Sequence, residues 1–422
     1  MKKLVLLRLY TGRMLKNLQV FIRWGLCSVF IGLFVGAFST LFAFCLRQVT
    51  DFRTTYPWMI FFLPAGGILI VFLYQIFQYK NDKGTNLVLS TLHAKSEIPF
   101  KTAPLIFITT ILTHLFGGSA GREGAALQLG GSIGQQLGRI FRFDEKDQRI
   151  VVMCGMSAAF SAIFGTPVAA SIFSMEVGSI GVMYYAALVP CVFSALVASK
   201  VAVHMGIGPD VFHITELPSF QIVPSIKIIV LALCCAALSA LFCISLHSLG
   251  DIYRKHLKNP YIRILFSSAV IILLTVLLRT SDYMGAGVPV IERAIGGSVS
   301  PPAFILKIIF TALTLEAGFK GGEIVPSFFV GATFGCLFGQ LLGVSPSLCA
   351  AVGMMSVFCG VTNCPITSLL ISFELFGYEA VPYFLIGISI SYLMSGYYGL
   401  YHDQTIVYSK YKTEFINRRT RE

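Results

Sequence analysis

The chain has 422 residues, 55% of them hydrophobic and only 12% charged, with mean hydropathy +0.77. A soluble globular protein carries about 25% charged residues, so an ordinary water-soluble domain is excluded. The net charge of +12 belongs mostly to the two flanks of the chain, which favours membrane orientation over nucleic-acid binding.

Residues 1–24 carry Lys2, Lys3, Arg8, Arg13, Lys16 and Arg23 and no acid. They read as a basic cytoplasmic segment. The first apolar run starts late, is long and has no small-x-small cleavage site, so no signal peptide is predicted. Apolar runs then recur at 25–46, 58–77, 103–116, 182–198, 228–246, 264–278, 326–343 and 381–398. A run of about 20 apolar residues crosses the hydrocarbon core, and several of these suffice; the run at 103–116 is too short to cross upright. The expectation is an all-α, multi-pass membrane protein with tilted or broken helices. A membrane β-barrel would need alternating strands of about ten residues, which are missing. Beyond Tyr401 lie Lys410, Lys412, Arg418, Arg419 and Arg421 against three acids. Both termini are therefore expected on the cytoplasmic side of an inner (plasma) membrane, with an even number of crossings. The eleven cysteines lie mostly in apolar runs without C-x-x-C or zinc-type spacing and read as small core residues; no metal is expected.

The chain repeats itself. Residues 154–177, CGMSAAFSAIFGTPVAASIFSMEV, align without gaps on 352–375 at an offset of 198, pairing Gly155 with Gly353, Pro167 with Pro365 and Glu176 with Glu374. At an offset of 200, Gly121 falls on Gly321, Glu123 on Glu323 and Gly131 on Gly331. Two membrane repeats follow, at 25–205 and 206–400, with a short cytoplasmic tail at 401–422. Repeats inverted in the membrane are a transporter architecture, with a site at their meeting point and broken helices aimed at it.

The glycine-rich stretches GGSAGREGAALQLGG (117–131) and GFKGGEIVPSFFVG (318–331) mark such breaks. A helix N-terminus presents unpaired N–H groups and a positive dipole end, so it binds anions without a positive side chain. Gly121, Arg122, Gly124 and Ala125 from the first junction, with Ile324 and Val325 from the second, are the candidate anion ligands. Glu123 is itself an anion and can occupy the site it guards; once protonated it no longer competes. An ionisable group at membrane depth is a functional-site hypothesis by default, with the role of proton carrier open to it. An ion pair with Arg122 is disfavoured, because adjacent helical residues do not face each other. Glu176 and Glu374, at equivalent helix ends, read as capping or interhelical groups. His93 and His114 read as satisfied polar side chains.

GREG followed by a glycine-spaced helix resembles the gating-glutamate motif of the CLC family of chloride channels and anion/proton antiporters. CGMSAAFSAIFGTPVAASIFSMEV is similar to the family's next helix pair, GLYHDQ (399–404) to the stretch with its anion-coordinating tyrosine, here Tyr401, and KGTNL (83–87) to its first anion-binding loop, with Thr85 at the usual serine position. The resemblance runs from about residue 25 to 405. It implies an inverted repeat of tilted and broken helices, halide–proton transport without a cofactor, and a homodimer with one pore per subunit. Within the family, GGEIVP with Glu323 is similar to the bacterial fluoride/proton antiporter branch, where the gating and second glutamates both serve exchange. Val177 stands where chloride exchangers carry an inner proton-relay glutamate. Two departures stand out. Ala125 replaces the usual proline of the chloride branch, and Thr85 keeps a serine-like hydroxyl where the fluoride branch has Met or Asn. A chloride/proton antiporter or chloride channel on the same scaffold is the alternative reading, and the tail leaves no room for the family's regulatory domains. An intramembrane hydrolase would use the G-x-S-x-G matches at 117–121 and 130–134, but no strand–turn–helix elbow with His and Asp partners accompanies them. A cation antiporter would aim helix C-termini and carboxylates at its ion, whereas these glutamates sit at helix N-termini.

Overall fold

A computed structural model describes residues 2–79, 83–93 and 97–420. The side chains of Lys2, Lys3, Arg8 and His93, and residue Arg421, lie outside what is described. The first half holds α1 (Lys2–Thr55), α2 (Leu63–Ile76), α3 (Thr85–His93), α4 (Thr102–Leu115), α5 (Glu123–Ile140), α6 (Glu145–Phe164), α7 (Pro167–Glu176) and α8 (Leu188–His204). The second holds α9 (Ile222–His256), α10 (Pro260–Leu278), α11 (Val288–Ile295), α12 (Ala303–Ala317), α13 (Ile324–Leu342), α14 (Pro346–Thr362), α15 (Pro365–Phe376) and α16 (Val381–Met394). The eight helices of one half correspond in order to the eight of the other.

Six described helical stretches are long and apolar enough to cross a membrane: Thr11–Thr55, Pro57–Ile76, Tyr185–His204, Ile222–His256, Pro260–Leu278 and Ile324–Leu342. The helices α5 and α6 escape a search for apolar runs because they never meet lipid along most of their length. In α5 every residue from Glu123 to Gln135 is buried, and in α6 every residue from Val151 to Phe164. Helices packed inside protein need small residues for close approach, more than they need greasy ones. Gly130 of α5 meets Gly155 of α6 so closely that a Cβ on either would overlap the other's carbonyl oxygen, and Gly331 of α13 meets Gly353 of α14 in the same way. The second serine motif, GGSIG, is thereby a helix-packing seam.

The two halves also cap each other. The Glu374 carboxylate, at the end of α15, accepts the Val168 and Ala169 N–H groups at 3.0 and 2.9 Å, at the start of α7. Glu176, at the end of α7, accepts Ile366 and Thr367 N–H at 3.1 and 2.8 Å, at the start of α15. These N–H groups are ones a helix start leaves unpaired, so both glutamates are reciprocal caps. Replacing Glu374 with Ala is expected to cost about 1–2 kcal/mol, the range for losing a cap, seen as a lower thermal unfolding midpoint in detergent with halide transport retained.

The chain beyond Tyr401 is built into the fold. Strand β1 (Ser179–Ile180) pairs in parallel with β2 (Thr405–Tyr408), and β2 pairs antiparallel with β3 (Phe415–Arg419). Gln404 is fully buried and donates to the carbonyls of Val177 and Thr362 at 2.9 and 2.8 Å, tying both halves to the segment that carries Tyr401.

Candidate functional site

The two junctions meet directly. Gly121 N–H donates to the Gly322 carbonyl at 2.7 Å and Gly322 N–H to the Gly121 carbonyl at 2.8 Å, a single antiparallel bridge between the halves. Flanking it, Ser119 N–H donates to Thr314 Oγ1 (3.0 Å) and Lys320 N–H to Thr113 Oγ1 (3.1 Å). The pairs 113/314, 119/320 and 121/322 all share an offset of 201. So do Gly117 and Gly318, which both hold positive φ, 86° and 118°. The offset of 200 drawn from sequence identity is therefore one residue short at the junction. The structural counterpart of Glu123 is Ile324, and that of Glu323 is Arg122. Glu123 is the first residue of α5, whereas Glu323 is the cap residue preceding α13. The two carboxyls lie at successive positions along one path and are not mirror images.

This bridge corrects one expected ligand: the Gly121 N–H is consumed by Gly322 and does not face an anion. Arg122 also departs from expectation. Its Nη2 pairs with Asp210 Oδ2 at 3.1 Å, and its Nε lies 3.6 Å from Glu123 Oε1. The two neighbours do approach, because Arg122 stands at the cap, before the first helical turn, where helical side-chain spacing does not hold. At 3.6 Å the approach falls short of a hydrogen bond, and Glu123 Oε1 has no hydrogen-bond partner among the described residues.

Glu123 is fully buried. Its Oε2 accepts the Arg122 N–H at 2.9 Å, and the Val325 N–H at the start of α13 also faces the carboxylate. The side chain thus lies where helix N-terminal amides from both halves would hold an anion. Gly124, the next residue, opens the other side. A Cβ there would lie 2.9 Å from Thr85 Oγ1, 3.0 Å from Gly322 Cα and 3.4 Å from Glu323 Oε2. Three helix starts converge at this point: α3 at Thr85, α5 at Glu123 and Gly124, and α13 at Ile324 and Val325. Ala125, Ile324 and Val325 are buried beside them. Glu323 Oε2 and the Tyr401 hydroxyl are both buried without a hydrogen-bond partner among the described residues. Buried polar atoms are almost always satisfied, so such a cluster needs an account.

Two vestibules approach the cluster. One is lined by Lys83, Thr85, Asn86, Gln128, Glu316 and Glu323, near the end of α9; the other by Arg47, Arg53, His114, Arg122, Asp210 and Asp282, near the end of α1. Since α1 and α9 are equivalent helices of inverted repeats, the vestibules open to opposite faces. Glu123 lines neither and stands between them. His114 is satisfied, its Nε2 3.3 Å from the Gly121 carbonyl and its own carbonyl accepting from Arg53 Nη1 at 2.9 Å. Sequence reasoning missed Asn86, whose Oδ1 accepts the Asp403 N–H at 3.2 Å beside Tyr401, and Gln128. Position was the available signal: Asn86 follows Thr85, and Gln128 falls one helical turn after Gly124.

Two inverted halves that meet at helix N-termini around a buried carboxylate define an anion transporter of the CLC type. Residues 66–396 match the family described as voltage gated chloride channel, and the chain belongs to that family. A chloride/fluoride channel protein of Pseudomonas syringae pv. tomato is 34% identical over 397 residues, spanning 92% of this chain and 88% of that one. The H(+)/Cl(−) exchange transporter ClcA of Vibrio cholerae is 23% identical over 384 residues, 82% of this chain and 81% of its own. A crystal structure of a CLC-type fluoride/proton antiporter superposes with TM-score 0.87 at 34% identity, covering 91% of this chain and 98% of that one. A slow cyanobacterial Cl−/H+ antiporter superposes at TM-score 0.76 with 18% identity, over 88% and 94% of the two chains, and supports the fold alone.

Proposed function

We propose that this protein is a secondary antiporter that expels fluoride in exchange for protons. The observation that carries the reading is the pair of buried carboxyls on one path: Glu123 seated at the helix starts, and Glu323 beside Gly124 with an oxygen that has no hydrogen-bond partner among the described residues. One carboxylate can leave the anion site when it takes a proton; the other can hold a proton next to the departing anion. Val177, fully buried and hydrogen-bonded through its carbonyl to Gln404, offers no proton relay where chloride exchangers place one. The relatives at 34% identity, one named for chloride and fluoride and one for fluoride/proton antiport, point the same way. The second reading is chloride exchange or conduction, favoured by the Thr85 hydroxyl at the site.

Transport without covalent catalysis fits the serines. Ser119 is buried against Thr311 Oγ1 at 3.1 Å, and Ser132 donates to the Pro99 carbonyl at 3.4 Å, so neither stands as a free nucleophile. The protein works as a homodimer with a separate pore in each subunit, in the lipid of the plasma membrane, with both termini in the cytoplasm. Light scattering of the detergent-solubilised protein checks the dimer. Liposomes loaded in parallel with fluoride or chloride, with external pH recorded, test the function. Faster fluoride efflux accompanied by proton uptake is the expected result; chloride moving in preference would replace it with the second reading.

A further inference from the structure

Gln128 is 2% exposed, and its Oε1 is buried with no hydrogen-bond partner among the described residues. An amide oxygen held that deep without a partner loses its hydration for nothing in return, unless something that visits the site, or a turn of the amide about its last bond, supplies the missing bond. The residue also lines the vestibule that holds Thr85, Asn86 and Glu323. Its place on α5 fixes its aim. Gly124 and Gln128 are four residues apart and share a helix face, and Gly124 is the residue facing Thr85 Oγ1 and Glu323 Oε2. Gln128 therefore continues that face about 6 Å further along the helix, between the vestibule and the two polar groups at the helix starts.

We propose that the Gln128 side-chain amide is a halide ligand of this vestibule and contributes to the choice of fluoride over chloride. The inference rests on the antiport reading above. A side-chain amide is uncharged and has both a donor and an acceptor end. Turned one way, its N–H meets a partly dehydrated fluoride on its way from the vestibule to Glu323. Turned the other way, its oxygen accepts from water still bound to that ion. A charged donor there would trap the anion, whereas a neutral one lets it leave. Fluoride, small and strongly hydrated, gives up water only where donors replace it, so removing one donor penalises fluoride more than chloride. Glu123 and Glu323 are untouched by this step, so proton coupling per fluoride moved is unchanged.

The test compares wild-type protein with Gln128→Met, of similar length without an amide, and Gln128→Asn, which keeps an amide on a shorter stem. Each is reconstituted in liposomes, and fluoride efflux, chloride efflux and proton uptake are measured. Gln128→Met is expected to lose about tenfold in fluoride turnover, equal to 1.4 kcal/mol, with a smaller loss for chloride and the same number of protons per fluoride. Gln128→Asn is expected to fall between the two. Wild-type fluoride turnover in Gln128→Met, or an equal fall for both halides, would overturn the proposal, since a packing defect has no reason to discriminate. If Gln128→Met does not fold, the fluoride-to-chloride ratio of Gln128→Asn decides: a lowered ratio supports the ligand role and an unchanged ratio removes it. Wild-type preference for chloride would instead sink the fluoride reading. The same variants would then be read on chloride: unchanged flux in Gln128→Met, or an equal loss in Gln128→Met and Gln128→Asn, removes Gln128 as a ligand, and a loss in Gln128→Met that the amide of Gln128→Asn largely restores keeps it.

Discussion

Glu123→Gln is expected to reduce proton-coupled fluoride transport to the leak of protein-free liposomes. The carboxylate sits fully buried at the first turn of α5, with its Oε2 on the Arg122 N–H and the Val325 N–H facing it. Gln reproduces the shape of the protonated acid and cannot carry a proton, so the exchange cycle has no carrier. Oε1 matters here too: it has no hydrogen-bond partner among the described residues, and Arg122 Nε lies 3.6 Å from it. An acid with one such oxygen can accept a proton without breaking an existing hydrogen bond, whereas Gln, with its carbonyl oxygen on the amide donors, turns its N–H2 toward the Arg122 guanidinium and has no proton to exchange. Proton uptake recorded with a pH electrode during fluoride efflux checks this. Uncoupled halide flow in the variant would move the protein toward the chloride reading, and wild-type proton coupling would remove Glu123 as carrier.

The second large effect is expected at Glu323. Its Oε2 is buried without a hydrogen-bond partner among the described residues and adjoins Gly124, which also neighbours Thr85 Oγ1 and Gly322 Cα. When charged, this carboxylate repels an anion from the path. When protonated it becomes an O–H donor, and fluoride is the better acceptor of such a bond than chloride. Glu323→Ala is therefore expected to lose fluoride/proton exchange while keeping the wild-type thermal unfolding midpoint, because among the described residues the side chain makes no cap hydrogen bond to the start of α13. Glu323→Gln keeps a donor and is expected to retain at most slow or uncoupled transport. A merely structural cap would behave differently: Ala would lower stability, and transport by the folded fraction would stay intact.

Much of this was legible in the residues. The repeat, the meeting helix starts and the buried Glu123 followed from glycine spacing and from a carboxylate inside an apolar chain. The register of the junction did not. Glu123 over Glu323 is the tempting alignment because identities score, but the helix start and the positive-φ turn decide equivalence, and Gly117 with Gly318 carries that information at an offset of 201. The Gly121 amide could not be discounted from sequence, since only the bridge to Gly322 shows it occupied. Tyr401 follows no local signal; it lies in a loop held by Gln404 and was found through family resemblance alone. Gln128 looked like any polar residue of a glycine-rich helix until the vestibule placed it.

The central claim is exchange, with fluoride and protons moving in opposite directions through one site. Purified protein in liposomes, clamped at zero voltage with a fluoride gradient directed outward and equal pH on both sides, tests it most directly. The account predicts that fluoride leaving down its gradient drives protons inward against a growing pH difference, and that chloride in place of fluoride drives far less. Fluoride efflux with no proton movement would contradict it.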